Sequence, residues 1–393
     1  MASLRFEFPG MGDVEPYYLY WIKRMEIFGI VGAYKQVGGF DQYPPLAVLT
    51  AFLIKQILNV TYLIAWKLAG SMSLLFTALM CHQITKSKWI SQLPIFFLGV
   101  PTILYGYADI HVAPFLLFSL SLLIKERYFL SGILFAVSCL FKWQPMIMFA
   151  AIVLYMLFKK RYRKTIEFSL GAAAIALITV IVYGWYNPAK SIWLSSLNHY
   201  FSAWGPNLNW IVTWILSIYF PEKLSGLGIW GGGPGSGGSF ASLKGDPKKG
   251  LFLIAKGIFY FAYLIQILLY IFKTSATELN VLRLAAASSL VYWQFSTGVH
   301  ANHIFFLMPL AILLCWKKNE YLMPFTIIFL LVNLNLIRVL GYDGIGFGSW
   351  PDIIFGINPS LVLSFLAVAS SFYLIGVLFR DSFYEEDKKK VHS

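Results

Sequence analysis

The sequence predicts an all-α polytopic membrane protein, and three observations carry this prediction. Hydrophobic residues make up 58% of the 393 residues and charged residues only 12%, and the mean hydropathy is +0.68, which is far from that of a soluble domain. Apolar segments that approach or reach the roughly 20 residues of a membrane-spanning helix recur along the chain. The basic residues, which give a formal net charge of +13, are confined to short loops between these segments, as membrane topology predicts and nucleic-acid binding does not.

Eleven apolar segments qualify as candidate membrane spans. They cover residues 60–84, 89–105, 110–124, 128–143, 145–158, 166–185, 251–272, 280–298, 303–316, 321–338 and 359–379. An apolar stretch before them opens with two prolines and carries Lys55, which favours an interfacial helix at 45–58. Five regions follow: a first external loop with interfacial helices (1–59), a first transmembrane bundle (60–185), an external loop with a short apolar element and a Gly-rich segment (186–250), a second transmembrane bundle (251–380) and a cytoplasmic tail (381–393).

Basic loops alternate with loops that are poor in Lys and Arg, which orients the array. The positive-inside rule places the basic loops in the cytoplasm. The basic residues are Lys86, Lys88, Lys125, Arg127, Lys159, Lys160, Arg161, Arg163, Lys164, Lys273, Lys317, Lys318, Lys388, Lys389 and Lys390. We therefore predict that the first 44 residues lie outside or in the lumen, in a plasma membrane or an endoplasmic reticulum membrane.

Four polar clusters fall on the predicted external side together with Asp13 and Glu15. They are Tyr107, Asp109 and His111; Lys142, Trp143, Gln144 and Pro145; Asn207, Asn209 and Trp210; and His300, Ala301, Asn302 and His303. Ionisable side chains at the mouth of a membrane bundle are costly to desolvate and usually have a function. Each cluster alone is explained equally well by side chains satisfied at the membrane interface. Their common location on one face is what indicates a site.

Short motifs in these clusters resemble a known family. Residues 12–15 (Gly-Asp-Val-Glu), an aromatic segment and residues 43–46 (Tyr-Pro-Pro-Leu) resemble the first external loop of GT-C membrane glycosyltransferases. The pattern is most similar to that of the dolichyl-phosphate-glucose-dependent glucosyltransferases of N-glycan assembly. Residues 141–145 (Phe-Lys-Trp-Gln-Pro) resemble the Lys-x-Gln region of related bacterial and archaeal mannosyltransferase-like enzymes. Residues 299–303 (Val-His-Ala-Asn-His) are similar to a Val-His-Glu motif on a late external loop.

The chain departs from the family pattern at two places. Ala301 stands where the family usually has Glu, so an acid role at that position is absent here. The family also carries a transmembrane helix before its first external loop, whereas this sequence starts at that loop.

The resemblance implies a GT-C-like bundle of about eleven transmembrane helices whose external loops form the active site. It also implies the inverting transfer of a hexose, glucose or mannose, from a polyprenyl- or dolichyl-phosphate sugar to a glycan or lipid-linked acceptor. Asp13 then stands at the position of the general base, and Glu15 orients Asp13 or the acceptor. Cations or N–H donors bind the leaving phosphate, and the candidates are Lys142, His300, His303 and Arg338. The candidate substrate-binding residues are Asp41, Tyr43, Asp109, His111, Gln144, Asn207, Asn209 and Trp210.

The expected partners are therefore the lipid-linked donor, the acceptor and membrane lipid, with no nucleic acid. No cofactor and no metal motif are predicted, although Asp13, Glu15 and His300 leave a divalent cation open. Two other classes of protein stay possible. A transporter would more often show repeated halves and a polar site at mid-bilayer, and neither is evident in the sequence. A membrane acyltransferase would centre on a buried histidine, and His300 keeps that alternative open.

Overall fold

The protein is described by a computed structural model over residues 14–35, 43–197, 201, 205–219, 229–230, 242–243, 248, 250–340 and 359–391. This part of the chain is a bundle of helices with one two-residue antiparallel ladder, Ile229–Trp230 against Ser242–Leu243. The helices are α1 (Tyr20–Lys35), α2 (Leu49–Leu58), α3 (Tyr62–Thr85), α4 (Lys88–Ile103), α5 (Val112–Ile124), α6 (Tyr128–Cys139), α7 (Met146–Phe158), α8 (Tyr162–Tyr183), α9 (Tyr186–Ser196), α10 (Leu208–Tyr219), α11 (Gly250–Lys273), α12 (Glu278–Phe295), α13 (Met308–Lys317), α14 (Leu322–Leu340) and α15 (Pro359–Val391).

Four tight turns lead into these helices. A π-helical turn, Val14–Leu19, precedes α1. Turns of 3-10 helix precede three others: Ala108–His111 before α5, Ala301–Leu307 before α13 and Asn319–Tyr321 before α14. Three of these turns carry candidate site residues (Glu15, Asp109 with His111, and His303), so the backbone there is fixed by hydrogen bonds and is not an open loop.

Five of the described helices are long and apolar enough to cross a membrane. These are α3, α8, α11, α14 with its leading turn, and α15 as far as Phe383. The prediction of a helical membrane protein is thereby confirmed in its coarse form. The other predicted spans form helices of 10 to 18 residues. In α12, 14 of the 18 residues are buried, because the rest of the protein surrounds this helix.

Local capping residues set several helix ends. The hydroxyl of Thr61 accepts the N–H of Ile64 at the start of α3, and Ser87 does the same for Ile90 in α4. Both contacts satisfy a backbone donor that a helix N-terminus leaves unpaired. Helix α3 ends at Lys86, which adopts the left-handed conformation. Because these signals are local, the sequence-based spans lie close to the observed helices, although α15 continues to Val391, into the region predicted as a tail.

Three of the basic loops meet at one end of the bundle, which we call the basic end. Arg161 pairs with Glu278 at 2.7 Å, and Lys164 pairs with Glu126 at 3.0 Å. The hydroxyl of Tyr128 donates to the same Glu278 carboxylate at 2.7 Å. The loops after α5, α7 and α11 therefore lie together, as the alternation of basic loops predicts.

The segments that carry the candidate site lie at the opposite end, which we call the polar end. Helices α5 and α7 each have 13 residues and so span about 20 Å between the two ends. The amide of Leu46 donates to the carbonyl of Leu140 at 2.9 Å, which brings the Tyr-Pro-Pro-Leu segment to the end of α6. The same end receives the turn before α5 and the turn before α13, as the contacts below show.

Helices α6 and α8 cross at two glycines, and this crossing supports the first prediction. A Cβ atom on Gly132 would lie 2.0 Å from the carbonyl oxygen of Phe168, and one on Gly171 would lie 2.0 Å from that of Phe129. We expect Gly171→Ala to lower the free energy of unfolding by about 1–3 kcal/mol or more, because the backbones must separate. Gly257→Ala in α11 is the control, since nothing lies within 4 Å of its Cβ. Thermal unfolding in detergent that ranks the two variants equally would contradict the close crossing.

Candidate functional site

Three segments that are distant in sequence meet at a buried carboxylate at the polar end. The ammonium of Lys142 lies 2.7 Å from Asp109 Oδ1, and the Asn302 side-chain amide donates to Asp109 Oδ2 at 2.7 Å. Asp109, Lys142 and Asn302 are 2%, 4% and 5% exposed. Both carboxylate oxygens are therefore satisfied by charge-assisted hydrogen bonds, which are stronger than neutral ones.

Local structure places each of these three side chains. Asp109 lies in the 3-10 turn before α5, and Asn302 lies in the one before α13. Lys142 follows the end of α6, where its backbone N–H still donates to Ser138 at 3.4 Å. Antiparallel packing of α5 and α6 puts the start of one beside the end of the other, and buried Ser119 and Ser131 hydrogen-bond across that pair.

A second contact extends the site to a histidine and an amide. Nε2 of Gln144 and Nε2 of His303 are 3.3 Å apart. The backbone N–H of His300 donates to Nδ1 of His303 at 3.4 Å. Because Nδ1 of His303 accepts the N–H of His300, a neutral His303 carries its proton on Nε2. That Nε2–H faces Gln144, so it needs a hydrogen-bond acceptor there. Among the described residues the amide oxygen of Gln144 has no hydrogen-bond partner, and a half-turn of the amide would let this oxygen accept the Nε2 proton.

Residue His300 is neutral at physiological pH. Burial, and then the nearby charge of Lys142, lower the pKa of His300 to about 4. This histidine is therefore a hydrogen-bonding group and not a cation in the folded protein. We refer to Asp109, Lys142, Gln144, Asn302 and His303 as the Asp109 cluster, and His300 lies beside it with its ring centre 5.3 Å from that of His303.

An aromatic group lies against the cluster. The ammonium of Lys142 is 6.0 Å from the ring centre of Tyr43. The hydroxyl of Tyr43 shares a 2.7 Å hydrogen bond with that of Tyr18, and Tyr18 stacks on Trp66 at 4.3 Å. Tyr18 belongs to the π-helical turn that begins one residue after Asp13. Tyr18 therefore anchors the π-helical turn beside Tyr43 and Lys142.

Asp13 and Asp41 lie outside the described residues. The backbone of Glu15 lies in the π-helical turn, but its side chain is outside the described part. The assignment of the general base therefore stays a prediction.

Two other predicted residues are engaged away from the cluster. Nδ1 of His111 lies 2.8 Å from the Ser73 hydroxyl of α3, and its ring is 5.5 Å from Trp66. Arg338 lies in the last turns of α14 and hydrogen-bonds to Ser360 of α15. Both residues join helices at the polar end.

The Asn207–Trp210 group docks α10 onto the end of α12. Asn207 Oδ1 accepts the backbone N–H of Trp210 at 2.9 Å, which caps α10, and its amide donates to the carbonyl of Trp293 at 3.0 Å. The amide of Asn209 donates to the carbonyls of Phe295 and Ser296. These contacts hold the helix in place, and the signal for them is present in the sequence as an asparagine directly before an apolar helix.

Asn302 was named in a polar cluster of the sequence, but neither Asn302 nor Tyr18 was assigned a role at the site. Asn302 is the second partner of Asp109, and it stands inside the His-Ala-Asn-His motif, so its type and position marked it as a candidate. Tyr18 links the first turn to Tyr43. The sequence does not single out Tyr18, because aromatic residues make up 18% of the chain and one tyrosine does not differ from the others.

Comparison of the chain with models of known protein families finds no match, and comparison with curated proteins finds no relative. Within the described ranges no three His, Cys, Asp or Glu side chains gather as metal ligands. The family resemblance therefore rests on the four sequence motifs alone.

Proposed function

We propose that this chain is an inverting membrane glycosyltransferase that moves a hexose from a polyprenyl- or dolichyl-phosphate sugar to a glycan or lipid-linked acceptor. The observation that carries the proposal is the meeting of Asp109, Lys142 and Asn302 from three distant segments. Lys142 and Asn302 belong to two of the four motifs of the resemblance, and Tyr43 of a third motif lies beside Lys142 at the same end of the bundle. In this proposal the shorter helices also lie in the bilayer, which gives about eleven transmembrane helices, and the polar end faces the external or lumenal side.

The proposed chemistry assigns one role to each part of the site. Asp13 takes the proton of an acceptor hydroxyl, whose oxygen forms a bond to the anomeric carbon of the donor. The bond from that carbon to the phosphate oxygen breaks, and the lipid phosphate leaves with the electron pair. Lys142 has three N–H donors, and its one hydrogen bond within the described part of the chain goes to Asp109. Its other donors, with the Gln144 amide, suit a developing phosphate anion.

A transfer assay tests the proposal directly. The purified full chain is given polyprenyl-phosphate glucose or mannose with a glycolipid acceptor, and the products are identified by mass spectrometry. We expect one hexose to be added to the acceptor for each lipid phosphate released. Absence of transfer from every donor, together with solute uptake into proteoliposomes or acyl transfer, would favour one of the two other classes.

The second prediction concerns His300. We expect His300→Ala to weaken use of the donor about ten- to hundred-fold, because a hydrogen bond at the leaving phosphate is lost. His82→Ala is the matched control, because His82 is an exposed histidine in the last turn of α3, at the opposite end of the bundle. The donor KM and the turnover number of both variants give the measurement. Equal donor kinetics in the two variants would assign His300 a structural role only.

A further inference from the structure

A second charged group, on α1, has almost no polar partner. Arg24 is 7% exposed. Its one hydrogen bond within the described residues is long, from Nη1 to the Tyr20 hydroxyl at 3.4 Å, and its Nε has no hydrogen-bond partner. The guanidinium carbon lies 5.6 Å from the ring centre of Tyr20 and 6.0 Å from that of Phe28. The described part of the chain places no carboxylate within ion-pair distance of it.

Three other buried cations are well satisfied. Lys67 donates to two backbone carbonyls at 2.5 and 3.1 Å. Lys142 pairs with Asp109 at 2.7 Å. Arg283 donates to an asparagine oxygen at 2.9 Å and to a tyrosine hydroxyl at 3.0 Å. Burying a charge without such partners has a large desolvation cost. Two ring faces near the limit of cation–π distance offset only part of that free energy.

Arg24 lies beside exposed apolar side chains of α1. Helix α1 is not one of the five helices long and apolar enough to cross a membrane, yet its outer face carries exposed apolar side chains. Tyr20 and Phe28, one turn before and one turn after Arg24, are 50% and 47% exposed, and Ile27 is 61% exposed. A helix that exposes apolar side chains beside a cation suits the membrane interface, where lipid phosphates lie.

We propose that Arg24, with the hydroxyl of Tyr20, forms a phosphate-binding site. The planar guanidinium presents paired N–H donors, which match two oxygens of a phosphate group. The ligand is a phosphate monoester or diester, carried by a lipid headgroup or by a soluble molecule. The site is separate from the Asp109 cluster. Its existence does not depend on the proposed glycosyl transfer.

A phosphate site and an ion pair within the chain predict opposite changes in melting temperature for Arg24→Gln in phosphate-free detergent. A phosphate site leaves the guanidinium unpaired in the absence of ligand, so the variant is expected to melt at or above the temperature of the wild type. An ion pair within the chain would be broken by the same substitution, and the melting temperature would then fall by several degrees. That fall would overturn the proposal.

Ligand addition gives the second test. The probes are inorganic phosphate at constant ionic strength and dioleoyl phosphatidate, with dioleoylglycerol as the lipid that lacks the phosphate. At least one phosphate probe is expected to raise the melting temperature of the wild type, with binding weakened about ten-fold or more in Arg24→Gln. A response to phosphatidate alone identifies a lipid ligand, and a response to inorganic phosphate identifies recognition of the phosphate itself.

Arg163→Gln is the control variant. The side chain of Arg163 is 92% exposed and lies at the basic end, so this variant is expected to respond as the wild type does. No response of the wild type to either probe, or an equal response in Arg24→Gln, would refute the site.

Discussion

Replacing Lys142 by methionine is expected to lower the free energy of unfolding by about 3–5 kcal/mol, because the Asp109 carboxylate stays buried without its cation. Asp109→Asn is also expected to lower the free energy of unfolding, because it leaves the Lys142 ammonium without its carboxylate. In the double variant no charge remains, and the new amide at position 109 can still hydrogen-bond to Asn302. Unfolding in detergent is therefore expected to give a coupling free energy of about 2–3 kcal/mol between the two positions.

The control for this cycle is an exposed pair. Arg163 and Glu167 lie 2.9 Å apart on α8, with the arginine side chain in solvent. Loss of that pair should change the free energy of unfolding by only about 0.5 kcal/mol. Strict additivity of the Lys142 and Asp109 variants would mean that the 2.7 Å contact is not an energetic pair, and the argument for a preassembled site would fail.

Replacing Asp13 by asparagine is expected to reduce the rate of sugar transfer by about 10²–10⁴-fold, which is what a general base contributes. Asparagine keeps the shape and hydrogen bonding of the side chain but does not take up a proton. Folding and donor binding should stay nearly unchanged, so the loss should appear in turnover and not in the donor KM. Single-turnover transfer and donor binding, measured on the same preparation, separate the two effects.

The neighbouring acids are the controls for Asp13. Glu15→Gln is expected to be milder, because Glu15 is assigned to orienting Asp13 or the acceptor. Turnover that survives in Asp13→Asn but is lost in Glu15→Gln or Asp41→Asn would show that the base has been misassigned. Near-normal turnover in all three variants would argue against glycosyl transfer altogether.

The sequence predicted the helices well because their signals are local. A long apolar run with a hydroxyl cap at its start, such as the one that follows Thr61, needs little information from elsewhere in the chain. The count of membrane-crossing helices was harder to predict. Helices such as α12 and α13 are surrounded by protein, and their length and composition therefore no longer report the thickness of a bilayer.

The prediction of the site was less complete. Lys142, Gln144, His303 and Asp109 were singled out, and the structure brings them together with Asn302. His111, Asn207 and Asn209 were singled out by the same reasoning, but they join helices at the same end of the bundle. A polar side chain at the mouth of a membrane bundle must be satisfied in either case, so residue type alone does not separate a ligand-binding group from a structural one.

The sequence by itself determined that this chain is a helical membrane protein, that basic loops share one end of the bundle and that the polar clusters of the described residues share the other. Those properties depend on the lengths of the apolar segments and the positions of the charges. Both can be read from the sequence without knowing which segments pack together. The tertiary structure alone decided which polar groups pair. Asp109 pairs with Lys142 and Asn302, and His111 hydrogen-bonds to Ser73. Arg24 lies mainly against two aromatic rings. Such pairings depend on atoms brought within about 3 Å from segments far apart in sequence, and only helix packing fixes distances on that scale.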